Sequence, residues 1–417
     1  MLFSEVARLN SNKQSIMLYK ILPAILLCLV ATMYANAQNL KWDRPCAQFK
    51  KETYAVSFSA DGNKVFSGSE CTPSWLRIFD THSGNMLWDY QVDSNLLCIQ
   101  GVKLSSNGTK AAAIEEMGNL LIFDYTTTPP TLINNIDLNV NFSFSVNFSP
   151  DGNKLAVGSS AKKLFIYNAI NGAQLHSIDA HNNWVMCSDW AAQEKIVTGG
   201  DDNMVKLWDT SGVLIRSFTG HSNWVYGVKM TPNGNYIVSC SKDKSIKIWD
   251  AATGTLVRTL NGHTDEVRFI DVSDDGSKIV SGSKDGTIRM WDFNTGNQLK
   301  SFSKAGSGTV FSVDISPNGR YIAVGTANGD VQLWDLLFST SVSNIESKDI
   351  NIYPNPCTNS LHIGASVKDV RIYDMTGKMY ELPFNKTTIY TTSLPTGTYL
   401  LKMQTDVGET NTTFVKN

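Results

Sequence analysis

The sequence has almost no net charge. Its 36 Lys and Arg residues are balanced by 38 Asp and Glu residues, which leaves a formal charge of -2 over 417 residues. Such a chain has no overall field to hold a polyanion or an anionic membrane surface, so we do not expect nucleic acid as a partner. Charged residues make up 18% of the chain and hydrophobic residues 42%, which is typical of globular proteins, and the length favours two folded units.

Short catalytic motifs are absent as well. The sequence has no Gly-Lys-Ser phosphate loop, no Gly-x-Ser-x-Gly nucleophile elbow and no His-Glu-x-x-His zinc motif. The aspartate pairs at 201–202 and 274–275 have too few ligands around them for calcium, and His82, His176 and His362 are isolated. We therefore predict no catalytic residues, no metal and no cofactor. A hydrolase or lyase whose site lacks a short motif remains an alternative.

Cysteines occur singly. None of the seven forms a Cys-x-x-Cys pair, which argues against a zinc or redox site. An oxidising compartment would permit disulfides, but single cysteines in predicted strands are more often small core residues, so their pairing is left open. The six that follow the N-terminal segment are Cys46, Cys71, Cys98, Cys187, Cys240 and Cys357.

The N-terminal apolar run is too short for a permanent anchor. It covers residues 21–34, fewer than the about 20 apolar residues that span a membrane. Lys20 precedes it and Ala35-Asn36-Ala37 follows it, the small-x-small pattern that signal peptidases accept. We predict a signal peptide over residues 1–37, with Met17 as a possible true start, and no stable transmembrane segment in the mature chain.

A repeat fills the middle of the chain. Four alternating strands end in Trp208-Asp209, Trp249-Asp250, Trp291-Asp292 and Trp334-Asp335, and three weaker copies end in Phe79-Asp80, Phe123-Asp124 and Tyr167-Asn168. Successive endings are 41 to 44 residues apart, the length of one four-stranded propeller blade, at about 40–45 residues. Seven copies predict an all-β, seven-bladed propeller over residues 38–338.

Tight turns recur in phase with these endings. Asp-Gly and Asn-Gly tolerate the positive φ that hairpins require, so each turn predicts a hairpin between the two inner strands of a copy. The turns are Ala60-Asp61-Gly62, Ser106-Asn107-Gly108, Pro150-Asp151-Gly152, Pro232-Asn233-Gly234, Asp274-Asp275-Gly276 and Pro317-Asn318-Gly319. The fourth copy has Ala191-Ala192-Gln193 instead.

These residues resemble the WD-repeat family. There, a His before the innermost strand, a Ser or Thr on the second strand, an Asp in the next turn and the Trp of the third strand form a buried network. The matching sets are His181, Thr198, Asp202 and Trp208; His221, Ser239, Asp243 and Trp249; and His263, Ser281, Asp285 and Trp291. The Asp position holds Pro73, Met117, Ala161 and Asn328 in copies one, two, three and seven. The family's ring closure implies that the strand at Leu40-Lys41-Trp42-Asp43 completes blade seven.

The resemblance also implies a binding face. Family partners dock where the innermost strands begin and beside the residues that precede the network Asp. The corresponding residues are Trp184, Met186, Trp224, Tyr226, Arg268, Asp201, Lys242 and Lys284. Aromatic and cationic side chains of this kind are enriched at interface hot spots. The alternative is that Trp184 and Trp224 only pack between neighbouring blades.

A second unit follows a linker at residues 339–348. Alternating apolar residues with Gly and Pro turns predict a small antiparallel β-sandwich over residues 349–417. Its motifs look like the type A C-terminal sorting domain of the bacterial type IX secretion system. The matching residues are Tyr353, Pro354, Asn355, Pro356, Gly377, Gly397, Tyr399 and Lys416. The alternative is a small sugar- or protein-binding sandwich.

The function that these features predict is binding. We expect a WD-repeat scaffold that binds a protein or peptide, acts as a monomer, and is secreted or held on the outer surface of a Gram-negative bacterium. The resemblance implies Sec-type export to the periplasm and then recognition of the C-terminal domain by the secretion translocon. A structural surface component without a discrete ligand is a further alternative. The sequence does not identify the partner, the fate of the C-terminal domain after export, or whether the mature protein is anchored.

Overall fold

The computed structural model describes residues 40–45, 52–69, 74–92, 98–191, 195–303, 306–336, 352–353, 355–363, 367–374, 379–380, 382–385, 387–405 and 408–416. The chain divides into two compact units, Met1–Thr340 and Ser341–Asn417. All regular structure in the described ranges is β-strand. The predicted signal peptide, Met17, the linker, Pro354 and Gly377 lie outside those ranges, and the exact domain boundaries stay predictions.

Seven four-stranded antiparallel sheets make up the first unit, and we number them as blades in chain order. The described chain opens with β1 (Leu40–Pro45). Blades one to three are β2 (Thr53–Phe58), β3 (Lys64–Ser69), β4 (Ser74–Asp80) and β5 (Met86–Val92); β6 (Ile99–Leu104), β7 (Lys110–Glu115), β8 (Asn119–Asp124) and β9 (Thr131–Asp137); and β10 (Ser143–Phe148), β11 (Lys154–Ser159), β12 (Lys163–Asn168) and β13 (Gln174–Asp179). Blades four to six are β14 (Val185–Ala191), β15 (Lys195–Gly200), β16 (Val205–Asp209) and β17 (Leu214–Phe218); β18 (Val225–Met230), β19 (Tyr236–Ser241), β20 (Ile246–Asp250) and β21 (Leu256–Leu260); and β22 (Val267–Val272), β23 (Lys278–Ser283), β24 (Ile288–Asp292) and β25 (Gln298–Phe302). Blade seven consists of β26 (Val310–Ile315), β27 (Tyr321–Thr326), β28 (Asp330–Asp335) and β1.

The sheets form a ring through their innermost strands. Each of β2, β6, β10, β14, β18, β22 and β26 packs against the next, and β26 packs against β2. The N-terminal strand β1 pairs antiparallel with β28, from Leu40 opposite Trp334 to Pro45 opposite Asp330. The seven-bladed propeller and its predicted closure by the N-terminal strand are thus confirmed. Strand β1 thus covers the edge of β28 that would otherwise be exposed, and it ties the last blade to the segment that leads into the first.

Apolar side chains alternate along the strands and fill the walls between blades. One cluster combines Val197, Leu207 and Phe218 of blade four with Val228 and Trp249 of blade five, all of them buried. The third-strand Trp is therefore part of a wall shared by two blades, not of one sheet alone. The predicted hairpins join the two inner strands of a blade. Their glycines have positive φ, in the left-handed region, wherever the structure describes them.

Aspartates at the fifth position of the innermost strands tie blades four, six and seven each to the next blade. The Asp189 carboxylate of blade four accepts a hydrogen bond from the Met230 amide of blade five at 3.0 Å. The Asp271 carboxylate of blade six accepts from the Ile315 amide of blade seven at 2.8 Å. Charged acceptors make stronger hydrogen bonds than neutral ones, so these ties fix how the blades are arranged around the axis.

The second unit is a sandwich of two four-stranded antiparallel sheets. Its strands are β29 (Ile352–Tyr353), β30 (Ser360–Ile363), β31 (Val367–Asp374), β32 (Met379–Tyr380), β33 (Phe384–Asn385), β34 (Thr388–Tyr390), β35 (Gly397–Thr405) and β36 (Gly408–Lys416). One sheet has the order β29-β30-β34-β33 and the other β32-β31-β35-β36. Leu361 and Ile389 of the first sheet share a core with Ile372, Leu401 and Phe414 of the second. This confirms the predicted small antiparallel sandwich.

Candidate partner-binding face of the propeller

The three predicted polar networks are complete and buried. In blade five the Trp249 indole N–H donates to Ser239 Oγ at 2.8 Å, and Ser239 Oγ lies 2.8 Å from His221 Nε2. His221 Nδ1 lies 2.8 Å from the Asp243 carboxylate. Because an ionised carboxylate can only accept, the Nδ1–H of His221 donates to Asp243, and Nε2 shares the second hydrogen bond with the Ser239 hydroxyl. Every polar group in the chain of contacts has a partner.

Blades four and six repeat this arrangement. His181 bridges Thr198 and Asp202 at 2.8 Å on each side, and Trp208 donates to Thr198 at 2.9 Å. In blade six, His263 lies 2.8 Å from Ser281 and 2.9 Å from Asp285, and Trp291 donates to Ser281 at 2.9 Å.

The aspartates of these networks are held ionised. Burial works to raise the pKa of Asp243, but hydrogen bonds from His221 and Ser245 outweigh it and hold the pKa well below 3.8. The pKa of Asp285 is lowered in the same way by His263 and Thr287. The order carboxylate, imidazole, hydroxyl is also that of a hydrolase triad. Here the His221 side chain has no exposed surface and the Ser239 hydroxyl receives an indole N–H, so neither reaches solvent.

In blade seven the indole N–H of the repeat's Trp has a different hydrogen-bond acceptor. Its second strand has Val324 where the networks have Ser or Thr, and the Trp334 indole donates instead to Gln332 Oε1 at 3.1 Å. The Gln332 amide in turn donates to Ser307 Oγ at 2.9 Å. The sequence analysis missed this pair. A buried Gln two residues before the repeat's Trp was the signal for it.

The innermost strands surround a central cavity of about 160 Å³. A β-bulge lies between the first and third residues of each innermost strand, so each second residue is displaced from the ladder. All seven of these second residues line the cavity, and together we call them the mouth ring: Tyr54, Gln100, Phe144, Met186, Tyr226, Arg268 and Phe311. Three of them, Met186, Tyr226 and Arg268, belong to the predicted binding face.

The other predicted face residues lie directly beside the strand starts. The amide of Asp201 donates to the carbonyl of Trp184 at 3.0 Å, and the amide of Lys242 donates to the carbonyl of Trp224 at 2.9 Å. Lys284 donates in the same way to Glu266 at 2.9 Å. Glu266 thus occupies in blade six the place that Trp184 and Trp224 hold in their blades. The sequence analysis did not single out Glu266.

Cations of blades five and six lie over two aromatic rings of blade five. Lys242 Nζ lies 4.1 Å from the centre of the Trp224 ring, and the Arg268 guanidinium lies 4.5 Å from that of Tyr226. Arg268 also pairs with Glu266 at 2.6 Å, and Lys284 lies 3.8 Å from the same carboxylate. Burial raises the pKa of Tyr226 to about 12, against the opposing effect of Arg268. This tyrosine therefore stays neutral and can donate a hydrogen bond.

Blades three and four instead present uncovered aromatic rings. Trp184 stacks on Phe144 with ring centres 5.4 Å apart and planes 24° apart, and Phe142 lies 5.9 Å away. All three are half-buried. Trp184 therefore packs between two blades, as the alternative interpretation has it, while part of its surface stays exposed. Trp224 contacts Tyr226 of its own blade at 6.1 Å. The sequence analysis missed four aromatic residues because their copies of the repeat lack the complete network motif: Tyr54, Phe142, Phe144 and Phe311.

Charged residues line the cavity below the mouth ring. Lys229 Nζ lies 3.2 Å from Asp271 and 3.5 Å from Asp189, while Lys103 Nζ lies 2.9 Å from Asp314. Burial works to lower the pKa of Lys229, but the three surrounding aspartates raise it strongly, so this ammonium stays charged. Within the described part of the chain, no group of three or more His, Cys, Asp or Glu residues is arranged to hold a metal ion.

Family comparisons agree with this geometry. Residues 172–209, 212–250, 254–292 and 296–335 each match the WD domain, G-beta repeat. These four segments of the propeller are WD repeats. They hold all three complete networks and three strands of blade seven, whereas blades one to three carry the weaker copies of the repeat. Residues 351–417 match the secretion system C-terminal sorting domain.

Proteins similar to the propeller include nuclear distribution proteins and LEC14B protein. The chain is 29% identical over 127 residues to nuclear distribution protein nudF of Aspergillus niger, covering 25% of this chain and 29% of the relative. It is 30% identical over 171 residues to nuclear distribution protein nudF of Emericella nidulans, covering 35% and 38%. It is 24% identical over 241 residues to LEC14B protein of Lithospermum erythrorhizon, covering 51% and 50%. The chain thus spans at most half the length of these relatives.

The sorting-domain motifs meet inside the second unit of this WD-repeat chain. Asn355 of the opening motif accepts a hydrogen bond from the Val415 amide at 2.9 Å, and Gly397 pairs with Lys416. Tyr399 stacks on Phe414 at 5.5 Å and donates to the Pro395 carbonyl at 2.8 Å. Tyr353 is exposed. Opening motif and terminal strand therefore fold as one structure. No helix among the described residues is long and apolar enough to cross a membrane.

Proposed function

We propose that this protein is an exported binding platform: a WD-repeat propeller that binds a protein or peptide, carried out of the cell by its C-terminal domain. The mouth ring carries the proposal. It places four aromatic side chains, one methionine and one arginine around a cavity, with Trp184 and Trp224 at the ends of the strands beside it. Large aromatic residues and arginine dominate the energetics of protein interfaces.

Binding, and not catalysis, is the activity that we propose. Each imidazole of the three networks has both ring nitrogens engaged, and its hydroxyl partner is buried. A catalytic base must reach a substrate proton, and these groups face the space between blades.

A pull-down tests the binding proposal. The full chain, immobilised and exposed to cross-linked surface fractions of the native bacterium, should retain a defined partner that mass spectrometry identifies. Trp224→Ala should reduce capture without changing the melting temperature, because its ring packs on Tyr226 and Lys242 within one blade. Leu256→Ala, an exposed apolar residue on an outermost strand, is the matched control. Lost stability with intact capture would show that Trp224 serves only packing.

Cell fractionation tests the export proposal. The C-terminal unit, residues 341–417, is compact by itself and matches a secretion-system sorting domain over nearly its whole length. We expect the full chain on the cell surface or in the medium, and a chain without residues 341–417 in the periplasm. Equal export of both forms would refute a sorting role for this unit.

A further inference from the structure

We propose that the mouth of the propeller selects acidic peptides, in which an Asp or Glu side chain lies beside an aromatic or apolar residue. This inference rests on the proposed function and adds the chemical class of the partner. The mouth has two sectors of different chemistry: the cationic sector, formed by blades five and six, and the aromatic sector, formed by Phe142, Phe144 and Trp184 of blades three and four.

The cationic sector has more exposed cations than carboxylates. The loops at this end of the two blades, with Arg268 of the mouth ring, supply the cations Lys242, Lys244, Arg268 and Lys284. Outside the networks they supply the carboxylates of Asp265 and Glu266. The network carboxylates Asp243 and Asp285 are only 9% and 6% exposed and are enclosed by their own donors. A ligand that contacts this sector therefore meets more exposed cationic groups than exposed carboxylates.

The π faces in this sector are already occupied. Lys242 lies over Trp224 and Arg268 over Tyr226, so neither ring offers a free face to a cation from a partner. The sector presents the ammonium and the guanidinium themselves. Among the described residues, no carboxylate lies within salt-bridge distance of Lys242, whereas Arg268 already pairs with Glu266. The Lys242 ammonium can therefore donate to an incoming carboxylate.

The charged residues that line the cavity, among those described, are Lys103, Lys229 and Arg268. One oxygen of Asp314 pairs with Lys103 and one oxygen each of Asp189 and Asp271 pairs with Lys229, while the second oxygen of each carboxylate accepts a backbone amide. These two lysines are therefore neutralised, and the charge that a ligand meets is that of the cationic sector at the mouth. The cavity, of about 160 Å³, has room for a side chain of a ligand.

The aromatic sector supplies the second half of the specificity. Phe144 and Trp184 form a stacked pair that no lysine or arginine covers in the described structure. Met186 of blade four lies between this pair and Tyr226 in the order of the mouth ring. A flat apolar side chain can pack on these rings, which favours a peptide over an isolated anion such as phosphate.

An array of random decapeptides, probed with the full chain, tests the inference. We expect binders enriched in Asp and Glu over Lys and Arg, with aromatic residues as neighbours. Replacing the acidic residue of the best binder by its amide should weaken binding at least tenfold. Lys242→Gln and Arg268→Gln should each reduce the preference for the acidic peptide over its amide. Lys278→Gln, which changes a lysine on an inner hairpin away from the mouth, should leave that preference unchanged. Lys242→Gln removes no ion pair, so it should fold normally.

Two classes of outcome would overturn the inference. Binders without acidic enrichment, or binding that Lys242→Gln and Arg268→Gln leave unchanged, would refute the role of charge. No binding peptide at all, including the case in which only an acidic polysaccharide such as alginate binds, would refute the peptide as ligand. The proposed function fails separately, if the full chain captures no cellular partner. Capture that depends on the mouth aromatics but not on these cations would preserve the function and reject this inference.

Discussion

Asp314 and Phe58, separated by 256 positions in the sequence, are joined by one hydrogen bond. The Phe58 amide of blade one donates to the Asp314 carboxylate of blade seven at 2.7 Å, while the other carboxylate oxygen pairs with Lys103 of blade two at 2.9 Å. The same tie links blades four and five and blades six and seven. The hydrogen bond at Asp314 closes the ring, because it joins blade seven to blade one.

Asp314→Ala should therefore destabilise the propeller by about 3 kcal/mol, since removing one partner of a buried pair leaves the other charge uncompensated. Urea unfolding of the full chain measures this change. Asp314→Asn keeps an acceptor for the Phe58 amide and should lose less stability than the alanine variant. Equal stability of Asp314→Ala and the wild type would contradict a role in closure.

The networks of blades five and six should each contribute to stability without any ligand. Asp243→Ala or Asp285→Ala leaves a buried imidazole without its acceptor, which costs about 1–3 kcal/mol. We expect a lower melting temperature for both variants by calorimetry. Asp265→Ala, a carboxylate in a neighbouring loop outside the networks, should melt close to the wild type. Unchanged melting of both network variants would refute this account.

Acid should weaken the propeller through the same carboxylates. Their pKa is lower in the folded than in the unfolded chain, so the stabilisation is fully present above their ordinary pKa of 3.8 and is lost as the pH falls below it. Burial raises the pKa of Asp189 and Asp314, whose protonation opposes this loss. Between about pH 4 and pH 2, Asp243→Asn should show a shallower fall in unfolding free energy than the wild type. An equal fall would exclude Asp243 as a source of acid sensitivity.

Arg44 should help to hold the closing strand β1 against blade one. Its guanidinium donates to the carbonyls of Gly84 at 2.9 Å and Ser83 at 3.2 Å in blade one, and Arg258 makes a similar contact from blade five to Phe293 of blade six at 3.2 Å. Net contributions of such hydrogen bonds are about 1 kcal/mol, so Arg44→Ala should lower stability by this order.

Hydrogen exchange distinguishes the closing role of Arg44 from a general one. In Arg44→Ala, amides of β1 and β28 should exchange faster than those of blade five. In Arg258→Ala, the acceleration should lie in blades five and six. Uniform acceleration around the ring in Arg44→Ala would argue against a closing role.

Local sequence signals predicted those elements whose interactions lie within one repeat. The Trp-Asp endings, the hairpin turns and the three networks depend on residues of one copy, so their spacing was sufficient. Gln332 and Ser307 were missed because they replace the expected hydroxyl with a different geometry. Phe144 was missed because its role arises from the neighbouring blade, and Glu266 because it stands where blades four and five have Trp. Whether Trp184 and Trp224 bind a partner stays a prediction.

The sequence by itself determined the number of modules, the strand pattern within each and the presence of a distinct C-terminal unit. Each of these follows from periodic burial along one segment of chain. Only the tertiary structure decided which side chains meet across blades: the closing bond between Asp314 and Phe58, the stacking of Trp184 on Phe144, and the Arg268 guanidinium over Tyr226. These contacts depend on the angle between adjacent sheets, which closure of the ring sets and no single repeat encodes.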